Sequence, residues 1–552
     1  MAHASANLWL KFDTFNIGIL PVAPHPKLSL HYLKKIALYA KNKGKAGYPR
    51  LAYSTWKHIA CNKLGMLEDL AWMYFEGFDM LCEYSPEERL QRRQDAVRHA
   101  KNIDTWKNIQ SVDTLQFLLY LYLQQLHKIS LRSSLVSGEE WPSRARSPSP
   151  DIDGRTSPGL GSSTKSVDES NQQVFVLNHL SDILGLLAEA DSYSSTANDV
   201  LLSVQSVEAL GLLFEGSVNK NKSVQLVHQV ALHQQTQAKS GYSKITQAFS
   251  FKTFESWLRS SLCNSPFGVT GCIASGHRLQ WSSGEDGAKR GRVATNCNKA
   301  PKSSQLVILS QISKQTLAKS SQILVDSRIK IHRCHYAFIY LLSPVRSVSI
   351  EKCRHTTIIV GAVETAVHLV GCEHVTVIAA AGRFSVSGST LCTLHMLTPS
   401  RPLLLGGNDS ITLAPYHTHY AMLHQHMAAV GLAEKPNHWN SPICVGPDHT
   451  EEHPVHRCMS PKEFFTFVIP FDMDGITAEI PGGLPSRYER ALVDREGQIN
   501  NWQQAVKDAG LDVEQKKQFQ ILVENKFQIW LAETGHKREL DGLVPSGGSP
   551  GK

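Results

Sequence analysis

Hydrophobic residues fall at helical spacing through most of the first half of the chain. HYLKKIALYAK (31–41) and WKHIACNKLGMLEDLAWMYFEGFDML (56–81) each carry a broad apolar face. TLQFLLYLYLQQLHKI (114–129) is apolar on nearly every side, and Asp113 stands where a cap is needed, which predicts a core helix. The same spacing returns in VFVLNHLSDILGLLAEA (174–190), VLLSVQSVEALGLLFEG (200–216) and FKTFESWLRSSL (251–262). The pattern predicts one helical domain in two parts, 1–136 and 173–262. Between them, 137–172 is rich in Ser, Pro and Gly and has too little apolar area to order itself, so a disordered loop is expected. Ser147, Ser149 and Ser157 each precede Pro there and suit proline-directed phosphorylation. Residues 263–301 read as a linker, with a weak basic patch at Lys289-Arg290-Gly291-Arg292.

From 302 to 436 the pattern changes in kind. Short β-branched runs recur, among them QLVILSQI, RIKIHRC, FIYLL, SVSIEKC, TIIVG and VTVIAAAG. An aliphatic residue followed three positions later by a small one repeats as Ile331/Cys334, Ile350/Cys353 and Leu369/Cys372, with weaker copies at Val386/Ser389 and Leu405/Asn408. The small residues are 19, 19, 17 and 19 residues apart. A period near 19 with several short strands per period predicts a solenoid, here a parallel β-helix whose coils stack about 4.8 Å apart. Cys334, Cys353, Cys372, Ser389 and Asn408 then form one ladder at a tight corner or a confined inward site.

After an extended segment (437–485) come two helices (486–540). Ser486 with Glu489 predicts a capping box, and Tyr488, Leu492, Ile499, Trp502 and Val506 form a seam ending at Gly510. The second follows Asp512 and carries Phe519, Leu522, Val523, Phe527, Trp530 and Leu531. A turn this short predicts an antiparallel hairpin packed on the rest, with a frayed tail over 541–552.

Composition narrows the class. With 42% apolar and 19% charged residues, the chain can bury a core and is not wholly disordered. The N-terminus lacks a basic stretch followed by an apolar one, and the densest apolar run, 115–126, is too short to span a bilayer. An intracellular protein with reduced thiols is expected. The eleven cysteines include no CxxC pair, which argues against structural zinc of the usual spacing. His417 and His419, with His424 and His426, have no Cys, Asp or Glu at ligand spacing, and His449, His453 and His456 lie in an irregular stretch; all are read as capping or surface groups, so no metal or other cofactor is expected. Gly406-Gly407-Asn408-Asp409 is a turn, because no phosphate-loop lysine or helix follows it. The net charge of +8 is too mild for a dedicated nucleic-acid protein. Most of it sits in 302–436, where twelve Lys and Arg face six Asp and Glu. That excess would suit an acidic partner surface such as tubulin's tails.

The coils CRHTTIIVG and GCEHVTVIAA, and the closing ITLAPY with Ala414-Pro415-Tyr416, resemble the domain shared by tubulin-folding cofactor C, retinitis pigmentosa protein 2 and cyclase-associated proteins. The resemblance extends along nearly the whole chain to one branch of that family, through YPRLAYSTWKHIAC, SVDTLQFLLYLY, FIYLLSPVRSVSIEKCR, LTPSRPLLLGGN, IPGGLPS and FQILVENKF. It implies a multidomain α + β protein with a central right-handed parallel β-helix. Cofactor C and retinitis pigmentosa protein 2 stimulate GTP hydrolysis with an arginine whose guanidinium offsets phosphoryl charge. Counting back from Ala414-Pro415-Tyr416, the matching stretch is Arg383-Phe384-Ser385-Val386, which puts Val386 at the arginine's position. Arg383, three residues away, should point to the opposite face and is expected to meet solvent or a local ion pair. The resemblance therefore implies a non-enzymatic cytoskeletal protein of the cytoplasm, centrosome and spindle pole. Its implied role is to position the centrosome and organise the Golgi, with effects on cell shape and migration. Its partners would be tubulin, microtubules, centrosomal proteins or a small GTPase bound without catalysis. The alternative is a GTPase activator for an Arf-like protein or tubulin.

Overall fold

The computed structural model describes residues 6–20, 24–99, 103–126, 163–190, 200–218, 223–275, 277–278, 292–296, 305–320, 322–446 and 449–534. Most of the loop 137–172 with its three serines, the basic patch at 289–292 bar its last residue, and the tail 541–552 lie outside them. The chain forms two compact units, the first built from 1–84, 95–277 and 295–306, the second from 85–94, 278–294 and 307–552.

The first unit is mainly helical. Its central helix, Thr114–Leu123, is buried on every side, and the Asp113 carboxylate accepts the Gln116 N–H at 2.8 Å. Trp56, Phe75 and Phe78 pack edge-on against its Phe117, which stacks on Tyr120 one turn along. Two features depart from the sequence reading. Helix Ser163–Asn178 begins ten residues inside the expected loop. Small antiparallel sheets also join the helices, such as Ala6–Leu10 with Phe214–Val218 and Leu201–Ser203 with Ala248–Ser250.

The second unit is a parallel β-solenoid. One side stacks Arg328–His332, Ser347–Glu351, the ends of Arg354–Val370 and Glu373–Ser387, then Leu403–Leu404 and Ile443–Cys444. A second side stacks Thr316–Lys319, Phe338–Leu341, the starts of the two long strands, Thr393–Leu397, Ile411–Pro415 and His456–Cys458. Alternation sets what faces in. Ile329, Val348, Val367 and Phe384 form one interior column, and Ile331, Ile350, Leu369, Val386 and Leu404 the next, none more than 2% exposed. In the last copy the inward aliphatic is Leu404, one residue before the Leu405 that the repeat suggests.

Two register shifts account for the short step of 17. Arg354 through Ile359 pair with residues 19 later, Ala362 with one 18 later, and Ala366 onward with residues 17 later. The missing residues are removed between Ile359 and Ala366, away from the corner that carries the ladder.

Chain outside the coils covers one flank. Between Pro415 and Ile443 the backbone leaves the solenoid, and Tyr420, Leu423, Met427 and Val430 pack on Tyr340, Ile359, Ile378 and Leu397. The segment 85–94 is held there by charge: Glu364 receives Arg346 at 2.8 Å and Arg89 at 3.2 Å, with Arg89 buried. The C-terminal helices Ser486–Asp508 and Val513–Thr534 depart from expectation. Pro485, without a side-chain cap, precedes the first, so Ser486 and Glu489 make no capping box there. The reciprocal box forms at the second, where Asp512 and Gln515 exchange bonds of 2.8 and 3.1 Å. Tyr488 is buried against Trp439 and Phe464, but Ile499, Trp502, Leu522, Phe527 and Trp530 stay about half exposed. The seam expected to pack on the rest is thus largely open.

Two histidines lie inside the fold. His395 and His417 stack at 3.6 Å under Phe464 and Phe467. Burial holds His395 down to about 4, and burial with the neighbouring imidazole holds His417 at about 2. Both folded values lie below the unfolded 6.5, so the unfolded chain takes up more protons as the pH falls below that point. Stability is full above pH 6.5 and declines below it, by about 4 kcal/mol for the pair at pH 5. Thermal melts between pH 7.5 and 5 should show this fall, and His417→Phe should roughly halve it, leaving the share of His395.

Candidate functional site

The corner between the two stacked sides repeats a four-residue geometry. Left-handed residues stand at Arg333 and Tyr336, Lys352 and His355, Gly371 and His374, Gly388 and Leu391, and Gly407 and Ser410. Each pair brackets one ladder residue, Cys334, Cys353, Cys372, Ser389 or Asn408, and all five are buried. Gln311 and Lys314 bracket Ile312 in the same way, so an earlier coil carries the motif with an apolar residue. The sequence pattern missed that coil because it was defined by small side chains.

The turned backbone leaves peptide groups facing inward, and the ladder satisfies them. Cys334 N–H donates to Cys353 Sγ at 3.4 Å, Cys372 N–H to Ser389 Oγ at 3.1 Å, and Ser389 N–H to Asn408 Oδ1 at 3.0 Å. The side chains also donate to carbonyls of their own and preceding coils: Cys372 Sγ to Val370 and Ile350, Ser389 Oγ to Ser387, and Asn408 Nδ2 to Val386 and Leu405. Hydrogen bonding to Cys353, then burial, raises the Cys334 and Cys372 thiols, and burial pushes Cys392 to about 11. These are structural thiols.

The degenerate arginine motif lies on the strand Glu373–Ser387. Phe384 and Val386 point into the solenoid, and Val386 pairs with Leu369 and Leu404 in the interior column. Even an arginine at 386 would begin from an inward position. Alternation puts Arg383 on the outer face with Ser385, whose hydroxyl meets His368 Nδ1 at 2.5 Å. Arg383 is nevertheless only 2% exposed, which corrects the expectation of a solvent-facing side chain. Its charge together with burial holds His368 down to about 4, burial being the larger cause. The signal for Val386 was already in the repeat, where it occupies the aliphatic position matched by Ile331, Ile350 and Leu369.

The outer edge of the corner is the exposed part of this site. Arg333 and Lys352 occupy one left-handed position on successive coils, are exposed, and make no ion pair among the described residues. At the other position Tyr336, His355 and His374 stack face to face, with centroids 4.8 and 4.7 Å apart. Arg354, half exposed, pairs with Glu373 at 3.2 Å beside them. Later coils place Gly388, Leu391, Gly407 and Ser410 at these points, so the edge runs from basic and aromatic to neutral. The remaining histidines do not gather there: His424 faces Glu434, His426 meets the Tyr420 hydroxyl, and His419 is exposed.

Asn408→Ala should lower stability by about 2–3 kcal/mol, because it strands buried groups on two coils. Lys352→Gly should raise it by about 1 kcal/mol by relieving a left-handed non-glycine residue. Denaturant titration of each variant measures both.

Residues 326–443 match the family model described as tubulin binding cofactor C. Over the full length, the chain is 49% identical across 556 residues to TBCC domain-containing protein 1 of Rattus norvegicus, covering 99% of this chain and 96% of that one. The Homo sapiens protein of the same name is 48% identical over 554 residues, covering 99% and 98%. That of Xenopus tropicalis is 45% identical over 552, covering 99% and 100%.

Proposed function

The chain belongs to the TBCC domain-containing protein 1 family, and from that premise we propose that its β-solenoid is a binding platform for an acidic cytoskeletal partner rather than a catalyst. The carrying observation is the inward Val386. A transferring phosphoryl group needs a cation delivered from outside, and this coil offers a valine in the interior and one buried arginine. One flank of the solenoid is covered by packed chain, but the corner edge with Arg333, Lys352, Arg354 and the Tyr336–His355–His374 stack is open. Such an edge attracts carboxylate-rich segments by long-range charge and holds them by stacking and short contacts. Tubulin's acidic tails are the partner of that chemistry favoured by the family's name. The reading extends to the cytoplasm, centrosome and spindle pole as the place of action, and to centrosome positioning and Golgi organisation, with consequences for cell shape and migration.

Purified protein should pellet with microtubules, and the double change Arg333→Glu/Lys352→Glu should weaken that binding at least tenfold while leaving the melting temperature in place. Pelleting with neither microtubules nor a centrosomal fraction would overturn the reading. The rival, a GTPase activator for tubulin or an Arf-like protein, requires single-turnover GTP hydrolysis to speed up with wild-type protein and to slow again with Arg383→Ala. We expect no acceleration from either.

A further inference from the structure

The last coil of the solenoid departs from its predecessors at the corner. In the coil before it, the chain passes from Leu404 on one side to Ile411 on the other. Their register partners in the last coil are Cys444 and His456. Seven steps along the chain become twelve, and the added residues include His449. By sequence alone His449 and His456 lie in an irregular stretch and read as capping or surface groups. The fold brings Cys444 to them.

The solenoid fixes two corners of the cluster. Val445 N–H donates to Leu404 at 2.7 Å beside Cys444, and Ile411 N–H donates to Val455 at 3.0 Å beside His456. Cys444 Sγ then lies 3.7 Å from His456 Nδ1. His449 comes over from the connecting segment, its ring centroid 5.6 Å from that of His456. One donor atom from each of the three residues lies within 4.8 Å of the others, and all three side chains are half-buried. A thiol–imidazole hydrogen bond accounts for Cys444 and His456 alone. It leaves His449 Nδ1, a buried atom with no hydrogen-bond partner among the described residues, unexplained.

A tetrahedral zinc ion explains all three. With Zn–S near 2.3 Å and Zn–N near 2.0–2.1 Å, sulfur and nitrogen on one ion stand about 3.6 Å apart, close to the observed separation. One thiolate with two imidazoles is a borderline-soft set that suits Zn²⁺ and is a poor match for Mg²⁺ or Ca²⁺. The geometry points to a zinc-binding site formed by Cys444, His449 and His456, which clips the enlarged corner to the end of the solenoid and leaves a fourth position to water. This inference does not rest on the proposed cytoskeletal function.

The test uses full-length protein, stripped with a chelator and titrated with Zn²⁺ against a chromogenic competitor, and separately loaded with Co²⁺. One Zn²⁺ per chain is expected. Cys444→Ser and His449→Gln should each weaken binding at least tenfold. The Co²⁺ form should show thiolate-to-metal charge transfer that Cys444→Ser removes. Zn²⁺ should raise the melting temperature of the wild type and not that of His449→Gln. Because His449 sits in the connecting segment, that variant is expected to fold, and circular dichroism checks it. Cys458→Ser, which alters an exposed thiol two residues beyond His456, should change nothing. Failure to bind stoichiometric Zn²⁺, or binding that survives His449→Gln, would overturn the proposal.

Discussion

A parallel coil has to turn sharply without stranding its peptide groups, and hydrogen bonds from corner N–H groups to small side chains on the next coil, as at Cys334, Cys372 and Ser389, meet that need. In this protein a left-handed residue precedes each ladder residue and another follows two positions after it. The side chain between them must be small enough for the interior and polar enough to meet a donor from the coil before it. Cysteine, serine and asparagine satisfy both conditions, and their succession from Cys334 to Asn408 keeps the strands on either side in register. The interior columns, the outer edge and the placement of Val386 all follow from that register.

This explains why the coiled region could be read from sequence. A spacing of 19 residues between cysteines with no disulfide or metal logic is hard to produce except by stacking. The direction of Val386 was legible in the same repeat, since it fills the position of Ile331, Ile350 and Leu369. Other features depend on packing that no local pattern encodes. Arg383 follows outward alternation and is buried all the same. Cys444 and His456 meet because strands forty and forty-five residues downstream of Leu404 and Ile411 stack on them. The seam of the C-terminal helices has good apolar periodicity, yet periodicity gives a face and not what covers it, and Trp502 and Trp530 remain half exposed.

The same corner changes character from coil to coil along the solenoid. A left-handed conformation is cheapest for glycine, and Gly371, Gly388 and Gly407 use it. Arg333 and Lys352 hold the equivalent position at the cost of backbone strain, of about 1–2 kcal/mol each. These charged residues, next to a stacked Tyr336–His355–His374 column, carry a backbone cost that turning alone does not require.

The register shifts between Ile359 and Ala366 bear on where one coil can differ in length from the next. Two residues are missing from that passage, yet the strands before and after it pair without a gap. The side away from the ladder therefore tolerates changes in chain length, as does the point after Pro415 where a long segment leaves and rejoins the stack. At the ladder corner the lengthening falls in the final coil, where twelve steps separate Cys444 from His456 and the strands still pair in register. Differences in length between the coils of this chain thus fall on the flank and in the final coil, where the chain gains surface while the stack beneath keeps its register.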